Sequence, residues 1–308
     1  MGRKKIEAIG TCALCRTENV ELECSYIIPK FVTRRIIKKS GTGYMRNPFS
    51  PNRRLQDGDK QYLLCGDCED RFSIAETLFA DRIFHPYKDR NSQSFVYEEW
   101  LNYFIISVNW RNLYLDIVDY NKDGSISEEQ LGVLFKKEKT MRDYLMQRRD
   151  DIEDIENHMF FFDDIQSAPE SISKAQPHSF MRHSTFGYSL ISKDYNGYYV
   201  VANLSGILIF TLLMKSSMDV WERTKIETSG TYVIGHQHVC SPIASDVLAY
   251  MSESRQAAEE LSEKQHAKII NDVKKNADRI RECEVFRNKE IDKALYLACR
   301  EKRKTDYN

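Results

Sequence analysis

The apolar positions of this 308-residue chain change period along its length, and the changes mark out its elements. Val20 to Ile28 is rich in β-formers and predicts a short strand or hairpin arm, after which Pro29 stands where a helix could open. Lys30 to Ser40 predicts that helix, with apolar Phe31, Val32, Ile36 and Ile37 against basic Arg34, Arg35, Lys38 and Lys39, and with Gly41 as the stop. Gly41 to Lys60, rich in Gly, Pro, Asn and Asp, predicts a loop or hairpin excursion. Asp67 to Phe84 predicts a second helix, with Phe72, Ala75, Leu78, Phe79 and Ile83 on one face. His85-Pro86-Tyr87 should break it, because a residue before proline avoids the helical basin.

Further on, Glu98 to Val118 is apolar and aromatic enough to predict a buried core helix, and Gln130 to Glu153 a charged one. Asn157 to Phe162 predicts a buried strand ended by Asp163-Asp164. Phe186–Ile191, Tyr198–Ala202, Ile207–Leu213 and Lys225–Val233 predict a small antiparallel sheet, with Asp194-Tyr195-Asn196-Gly197 as its clearest hairpin turn. From Pro242 to Arg303 the pattern is mostly helical. Its scattered apolar positions (Leu261, Ile269, Ile270, Val273, Ile280, Val285, Ile291, Leu295, Leu297) suit packing back on the sheet or pairing with a protein partner or second subunit.

A formal net charge of -1 gives no global pull towards nucleic acid, so any basic surface must be local. The first 60 residues supply one, with thirteen Lys and Arg against six Asp and Glu. Lys30, Arg34, Arg35 and Lys38 on the first helix, with Arg53 and Arg54 in the excursion, are the candidate nucleic-acid contacts; a solvated helix face explains the first four equally well. The apolar stretch Gly206 to Met214 falls short of the ~18 residues that a membrane span needs, so no membrane association is expected. No apolar run near the amino terminus resembles a signal peptide, and Ile6 stands where a myristoylation signal wants a small hydroxyl residue. A cytoplasmic location is expected.

Eight cysteines include two CxxC pairs, Cys12-Ala13-Leu14-Cys15 and Cys65-Gly66-Asp67-Cys68. Four soft thiolates on two turns are the ligand set and spacing that structural Zn²⁺ prefers, and in a reducing compartment they read as metal binding rather than disulfides. Two other patterns are weaker. Asp119 to Gln130 mimics a calcium loop with glycine at the sixth position but Gln130 at the twelfth, where a bidentate Glu is required; a turn and a helix capped at Ser127 explain the same residues. His236-Gln237-His238 with Cys240 could ligate a metal or could simply lie on a strand surface, and His158 reads as a structural histidine.

The order CxxC, a short strand ending Ser25-Tyr26-Ile27-Ile28-Pro29-Lys30-Phe31, a loop, then Leu63-Leu64-Cys65-Gly66-Asp67-Cys68-Glu69 and a helix resembles the HNH endonuclease superfamily over about residues 10 to 85. The expected fold is α+β: the resemblance implies a small zinc-bound treble-clef module at residues 1–90, and the pattern beyond it predicts a mixed helix and antiparallel-sheet domain at 91–308 with long C-terminal helices. The resemblance implies that Cys12, Cys15, Cys65 and Cys68 hold a structural zinc ion. Catalytic candidates carried over are Tyr26, Asn52 and Glu69, with Mg²⁺ or Mn²⁺ as the catalytic ion and DNA as the partner. The pattern departs where chemistry should sit. Ser25 replaces the usual acidic ligand and Tyr26 the usual general-base histidine, and a phenol titrating near ~10 does not accept a proton at neutral pH as an imidazole near ~6.5 does. Three functions therefore stay open: a metal-dependent endonuclease using another base such as His85 or Glu69, an inactive relative that binds DNA or a protein as a subunit, or a purely structural protein in which zinc compensates for a small core and the second domain mediates protein association. HNH-like proteins often act in defence against foreign DNA.

Overall fold

The computed structural model describes residues 8–40, 42–47, 50–89, 92–162, 170–258, 262–275, 277 and 283–306. The expected helix stop at Gly41, the strand end at Asp163-Asp164, the apolar positions Leu261 and Ile280, and the Met1 to Ile6 segment lie outside them.

The chain begins with strands β1 (Ala8–Gly10) and β2 (Val20–Tyr26), helix α1 (Lys30–Lys39), the hairpin β3 (Met45–Asn47) and β4 (Ser50–Leu55), strand β5 (Lys60–Cys65) and helix α2 (Gly66–Phe79). β1, β2 and β5 form one antiparallel sheet in that order, with Leu22 opposite Cys65 and Tyr26 opposite Lys60. Pro29 occupies the N-cap of α1, and the helix buries Val32, Thr33 and Ile36.

The expected break at His85-Pro86 does not occur. α2 runs into a π-helical turn, Ala80–Phe84, and then α3 (His85–Lys88), with His85 itself helical at φ -66°, ψ -45°. The wide turn accommodates the proline's missing N–H, and Ile83, Phe84 and Tyr87 hold it in the core.

Strand β6 (Ser94–Tyr97) precedes the central helix α4 (Trp100–Asp123). Every residue from Phe104 to Leu113 is buried, because α4 is covered on several sides at once. It packs on α2, where Phe79 and Phe104 stack with centroids 4.0 Å apart, on α5 (Glu128–Leu145), and on the main sheet. Asp119 to Asp123 are its last turns, closed by Gly124 at φ 67°, so these residues form helix rather than a calcium loop. Ser127 and Gln130 cap α5 reciprocally: Ser127 Oγ accepts from Gln130 N at 3.2 Å and Gln130 Oε1 from Ser127 N at 3.0 Å.

The main sheet has the order β7-β10-β9-β8, from β7 (Glu156–Phe161), β8 (Thr185–Ser192), β9 (Gly197–Leu204) and β10 (Ile207–Met214), with α6 (Glu170–Lys174) and α7 (Pro177–His183) between the first two. Ser192 pairs with Gly197 across the expected hairpin. Val200 and Ala202 of β9 face the α4 side, while Tyr199 and Val201 face α8 (Pro242–Ala258), so the strand is buried throughout. Lys225 to Val233 joins this sheet only at its start, where Lys225 bridges His158 on the β7 edge and Ile226 N donates to Asn157 O at 2.9 Å; its end pairs elsewhere. β11 (Val220–Glu222) pairs with β13 (His238–Cys240), and β12 (Gly230–Val233) with β6. Helices α9 (Glu263–Lys275) and α10 (Glu284–Asp306) follow. Two hydrophobic clusters run continuously across residue 90: Phe72, Cys68 and Leu64 meet Ile106, Trp110 and Leu113 in one, and Val32 and Phe79 meet Phe104 and Ile207 in the other.

Candidate metal centre and adjoining cleft

The turn carrying Cys12 and Cys15 is closed by hydrogen bonds from Cys12 N to Thr17 O at 2.9 Å and from Arg16 N to Cys12 O at 3.0 Å. Ala13 N donates to Leu63 O at 2.9 Å and stitches this turn to β5. Cys65 ends β5, and Cys68 lies in the first turn of α2, so one β-to-helix junction delivers the second pair.

All four sulfur atoms fall within 4.8 Å of one another. The Cys15 and Cys65 sulfurs are 3.9 Å apart, far beyond a disulfide, and Cys12, Cys15, Cys65 and Cys68 are all thiols rather than half-cystines. A tetrahedron with Zn–S bonds of about 2.3 Å has edges of about 3.8 Å. The cluster therefore fits a metal ion such as zinc, and Cys65 N donates to Cys12 Sγ at 3.3 Å, as a backbone amide does to a thiolate. The hydrogen bond from Cys68 holds the Cys12 thiol far down, at about 4, while the same contact pushes the Cys68 thiol up. Among the described residues, this is the one group of three or more His, Cys, Asp or Glu side chains close enough to share an ion. His236, His238 and Cys240 are exposed, and it is Gln237 between the histidines that turns inward, accepting from Phe161 N at 2.9 Å.

Beside the cysteines opens a cleft of about 450 Å³ lined by Glu23, Cys24, Tyr26, Lys30, Gly66, Glu69, Asp70, Glu76 and Arg111. Arg111, buried on α4, organises it. Its guanidinium donates to Tyr26 O at 2.7 Å, to Glu76 Oε1 at 2.7 Å and to Ser107 O at 3.1 Å, tying the end of β2 and the flank of α2 to the central helix. Arg111 and Glu76 were not singled out by sequence pattern. The available signal was one charge amid the apolar run of α4, between Trp110 and Asn112.

Of the three catalytic candidates, two share this cleft. Burial pushes the Glu69 carboxyl up, against the pull of Ser25 and Arg111, and its Oε1 is buried with no hydrogen-bond partner. Tyr26 directs its hydroxyl to Asp57, donating to Oδ1 at 2.9 Å, and its ring lies under the ammonium groups of Lys30 at 5.2 Å and Lys60 at 4.6 Å. Asn52 does not line the cleft; it sits on β4, where its Oδ1 accepts from Ser262 N at 3.0 Å. His85 packs beside Phe31 and Phe84 and does not line the cleft either.

The nucleic-acid candidates divide similarly. Lys30, Arg34, Lys38 and Arg53 are exposed. Arg35 is only 10% exposed and pairs with Asp89 and Glu284, each at 3.0 Å. Arg54 pairs with Asp272 at 3.5 Å and lies over the Tyr44 ring at 4.2 Å. Comparison with protein-family models, curated proteins and solved structures finds no match for this chain. Among the described residues, no helix is long and apolar enough to cross a membrane.

Proposed function

We propose that this is a zinc-braced, HNH-like protein that engages nucleic acid, with DNA the expected ligand, through a module whose cleft has lost the machinery for cleavage. The observation that carries the reading is the placement of the cysteines: one pair on the turn before β2, the other spanning the junction of β5 and α2, so that a single ion would brace hairpin and helix together. This placement supports the treble-clef arrangement that the resemblance implies, with Zn²⁺ proposed in a structural role. Loss of cleavage is supported by Tyr26, whose hydroxyl is a donor to Asp57 and not an acceptor of a water proton, and by the lack of any histidine among the cleft-lining residues.

A second reading, a metal-dependent endonuclease, rests on Glu69. Its unpartnered, buried carboxylate oxygen lies in the same cleft as Tyr26, and Mg²⁺ or Mn²⁺ is the partner this reading assigns to it.

One pair of assays separates the two. Salt-dependent binding of duplex DNA without nicking of supercoiled plasmid in Mg²⁺ or Mn²⁺ is the expected result. Nicking by the native chain that disappears in Glu69→Ala would establish the endonuclease instead, and no binding at low salt would remove both. A role in defence against foreign DNA belongs to the same proposal and would appear as protection of a host cell against phage.

A further inference from the structure

The β3–β4 hairpin, which carries the nucleic-acid candidates Arg53 and Arg54, meets one short helix from the far end of the chain. Arg46 Nη2 donates to Gln265 Oε1 at 3.5 Å, Arg54 Nη2 donates to Asp272 Oδ2 at 3.5 Å, and Tyr44 Oη donates to the same Asp272 oxygen at 3.3 Å. Both guanidinium groups also lie over the Tyr44 ring, at 5.3 Å for Arg46 and 4.2 Å for Arg54. A carboxylate oxygen thus accepts from Arg54 and from the Tyr44 phenol, while Arg46 lies over the same ring and donates to Gln265. Phosphate oxygens use the same donors, because guanidinium recognises either anion with its N–H groups.

The covering helix is attached differently from its neighbour. α9 has no buried residue at all, and Ile270 and Val273 on it face solvent. Its bonds to the hairpin through Arg54 and Asp272 are polar and partly solvated, each side chain being about one-third exposed. α10, by contrast, is anchored. Asp292 is buried and accepts from His178 N and Ser179 N, both at 2.9 Å, and Asn288 and Leu295 are buried with it. At the first residue of α10, burial pushes the Glu284 carboxyl up, but Lys88 and Arg35 overcome this and hold it below the usual range. The tail is therefore firmly tethered at α10 and lightly held at α9.

We infer that α9 is a removable cover over a nucleic-acid backbone site formed by Arg46, Arg54 and Tyr44, with Asp272 standing where a phosphate binds. The inference rests on the nucleic-acid reading above and supplies its regulation. A helix without buried side chains can leave at little cost, whereas the α10 anchor keeps it close enough to return. Duplex DNA and Asp272 then compete for the same donors, so binding weakens when the cover is down and gains phosphate contacts when it lifts.

The test uses the full chain and a short fluorescent DNA duplex. Asp272→Ala, and Asp272→Asn as the variant that preserves side-chain size, are expected to tighten binding about tenfold and to steepen its salt dependence by roughly one phosphate contact per released arginine. Glu263→Ala removes the same charge from α9 at a residue that takes no part in the Arg54 and Tyr44 bonds to Asp272 and should change affinity less than about twofold. Adding Arg54→Ala to Asp272→Ala should return the affinity towards the native value. Hydrogen exchange in α9 of the native chain should accelerate when DNA is added. Equal effects of Asp272→Ala and Glu263→Ala, or unaltered exchange in α9 at saturating DNA, would overturn the cover while leaving nucleic-acid binding intact. If neither the native chain nor the Asp272 variants bind DNA at low salt, the nucleic-acid reading falls and the cover with it.

Discussion

Tyr26 donates its hydroxyl to Asp57 at 2.9 Å, and Asp57 is in turn paired with Lys60 directly across the β2–β5 ladder from Tyr26. The phenol is thereby committed as a donor at the position where the HNH pattern wants a base. Both Tyr26 partners are solvent-exposed, so the bond contributes little to stability. Tyr26→Phe should shift the urea unfolding free energy by less than about 1 kcal/mol. Tyr26→His places a group titrating near ~6.5 in the cleft beside Glu69. Nicking of supercoiled plasmid in Mg²⁺ by Tyr26→His, absent from the native chain and from Tyr26→Phe, is the expected outcome. Equal activity in all three would show that Tyr26 does not silence the cleft.

Cys12 and Cys68 sit at the floor of the same corner, buried among Leu14, Leu64, Phe72 and Trp110. Loss of a metal there would do more than loosen a surface turn: it would leave thiols packed against the core and release the hairpin from α2. Metal analysis of protein purified without chelator is expected to give about one zinc per chain, the capacity of a single four-thiolate site. Cys68→Ser should lower the melting temperature by about 10 °C, the size of a loss of about 4–5 kcal/mol in a chain of this length. Cys24→Ser, at an exposed position outside the cluster, should leave it unchanged within about 1 °C. A metal content near zero together with a Cys68→Ser variant as stable as the native chain would remove the metal from the account.

What was legible in the sequence was what depends on local pattern. The cysteine pairs find each other because each sits on a tight turn or helix start, and the strand run Phe186 to Leu213 gives its own hairpin away at Asn196-Gly197. Failures came where distant contacts decide. The helix through Pro86 survives because a π-turn and a buried aromatic set hold it, and Asp119 to Asp123 continue α4 to Gly124, with Tyr120 on that stretch tied to Ser189 O at 3.3 Å. Arg54 looked like a free cation in a loop, and only the fold brings Asp272 from more than two hundred residues away to meet it. Arg111 was hidden for the opposite reason: in a helix read as core, a charge is easily passed over, although burial without solvent is what obliges it to find three oxygen partners.

His158 is buried on β7, with Nδ1 2.9 Å from Thr224 Oγ1 and Nε2 3.3 Å from Glu156. Burial holds it down to about 4, although Glu156 pulls the other way. His183, also buried, is held down to about 4 by burial and by Lys88. A histidine whose folded value lies below its unfolded ~6.5 favours the native state above that value, and the benefit is lost as pH falls from 6.5 towards about 4. Asp116, pushed up to about 6 by burial, works in the opposite sense as pH rises from ~3.9 to about 6, so the native chain alone would give a mixed slope. The difference between native and His158→Gln isolates one group. Measured by urea unfolding, His158→Gln should be the less stable protein at pH 7.5, and its deficit should shrink by about 1–3 kcal/mol by pH 4.5, as the unfolded chain's histidine takes up a proton that the folded one does not. A deficit independent of pH would mean that His158 is not held neutral in the fold.

Arg111 joins three elements at one buried guanidinium, and its partners differ in what they can do without it. Ser107 O and Tyr26 O are backbone acceptors that lose their charge-assisted bonds, while Glu76 is a half-buried carboxylate that would lose its 2.7 Å partner in the cleft where Glu69 Oε1 already lacks one. Removing one member of a buried ion pair costs about 3–5 kcal/mol, because the other charge stays behind. Arg111→Met keeps much of the side-chain volume over the Phe72 ring, so a loss of that size would come from the charge and hydrogen bonds rather than from a cavity. Replacing Glu76 as well, in Arg111→Met with Glu76→Gln, should recover about 1–2 kcal/mol by taking away the stranded carboxylate. The cycle is read by urea unfolding. Additive losses would mean that Arg111 acts through its backbone acceptors alone, and that the cleft keeps its shape without the Glu76 pair.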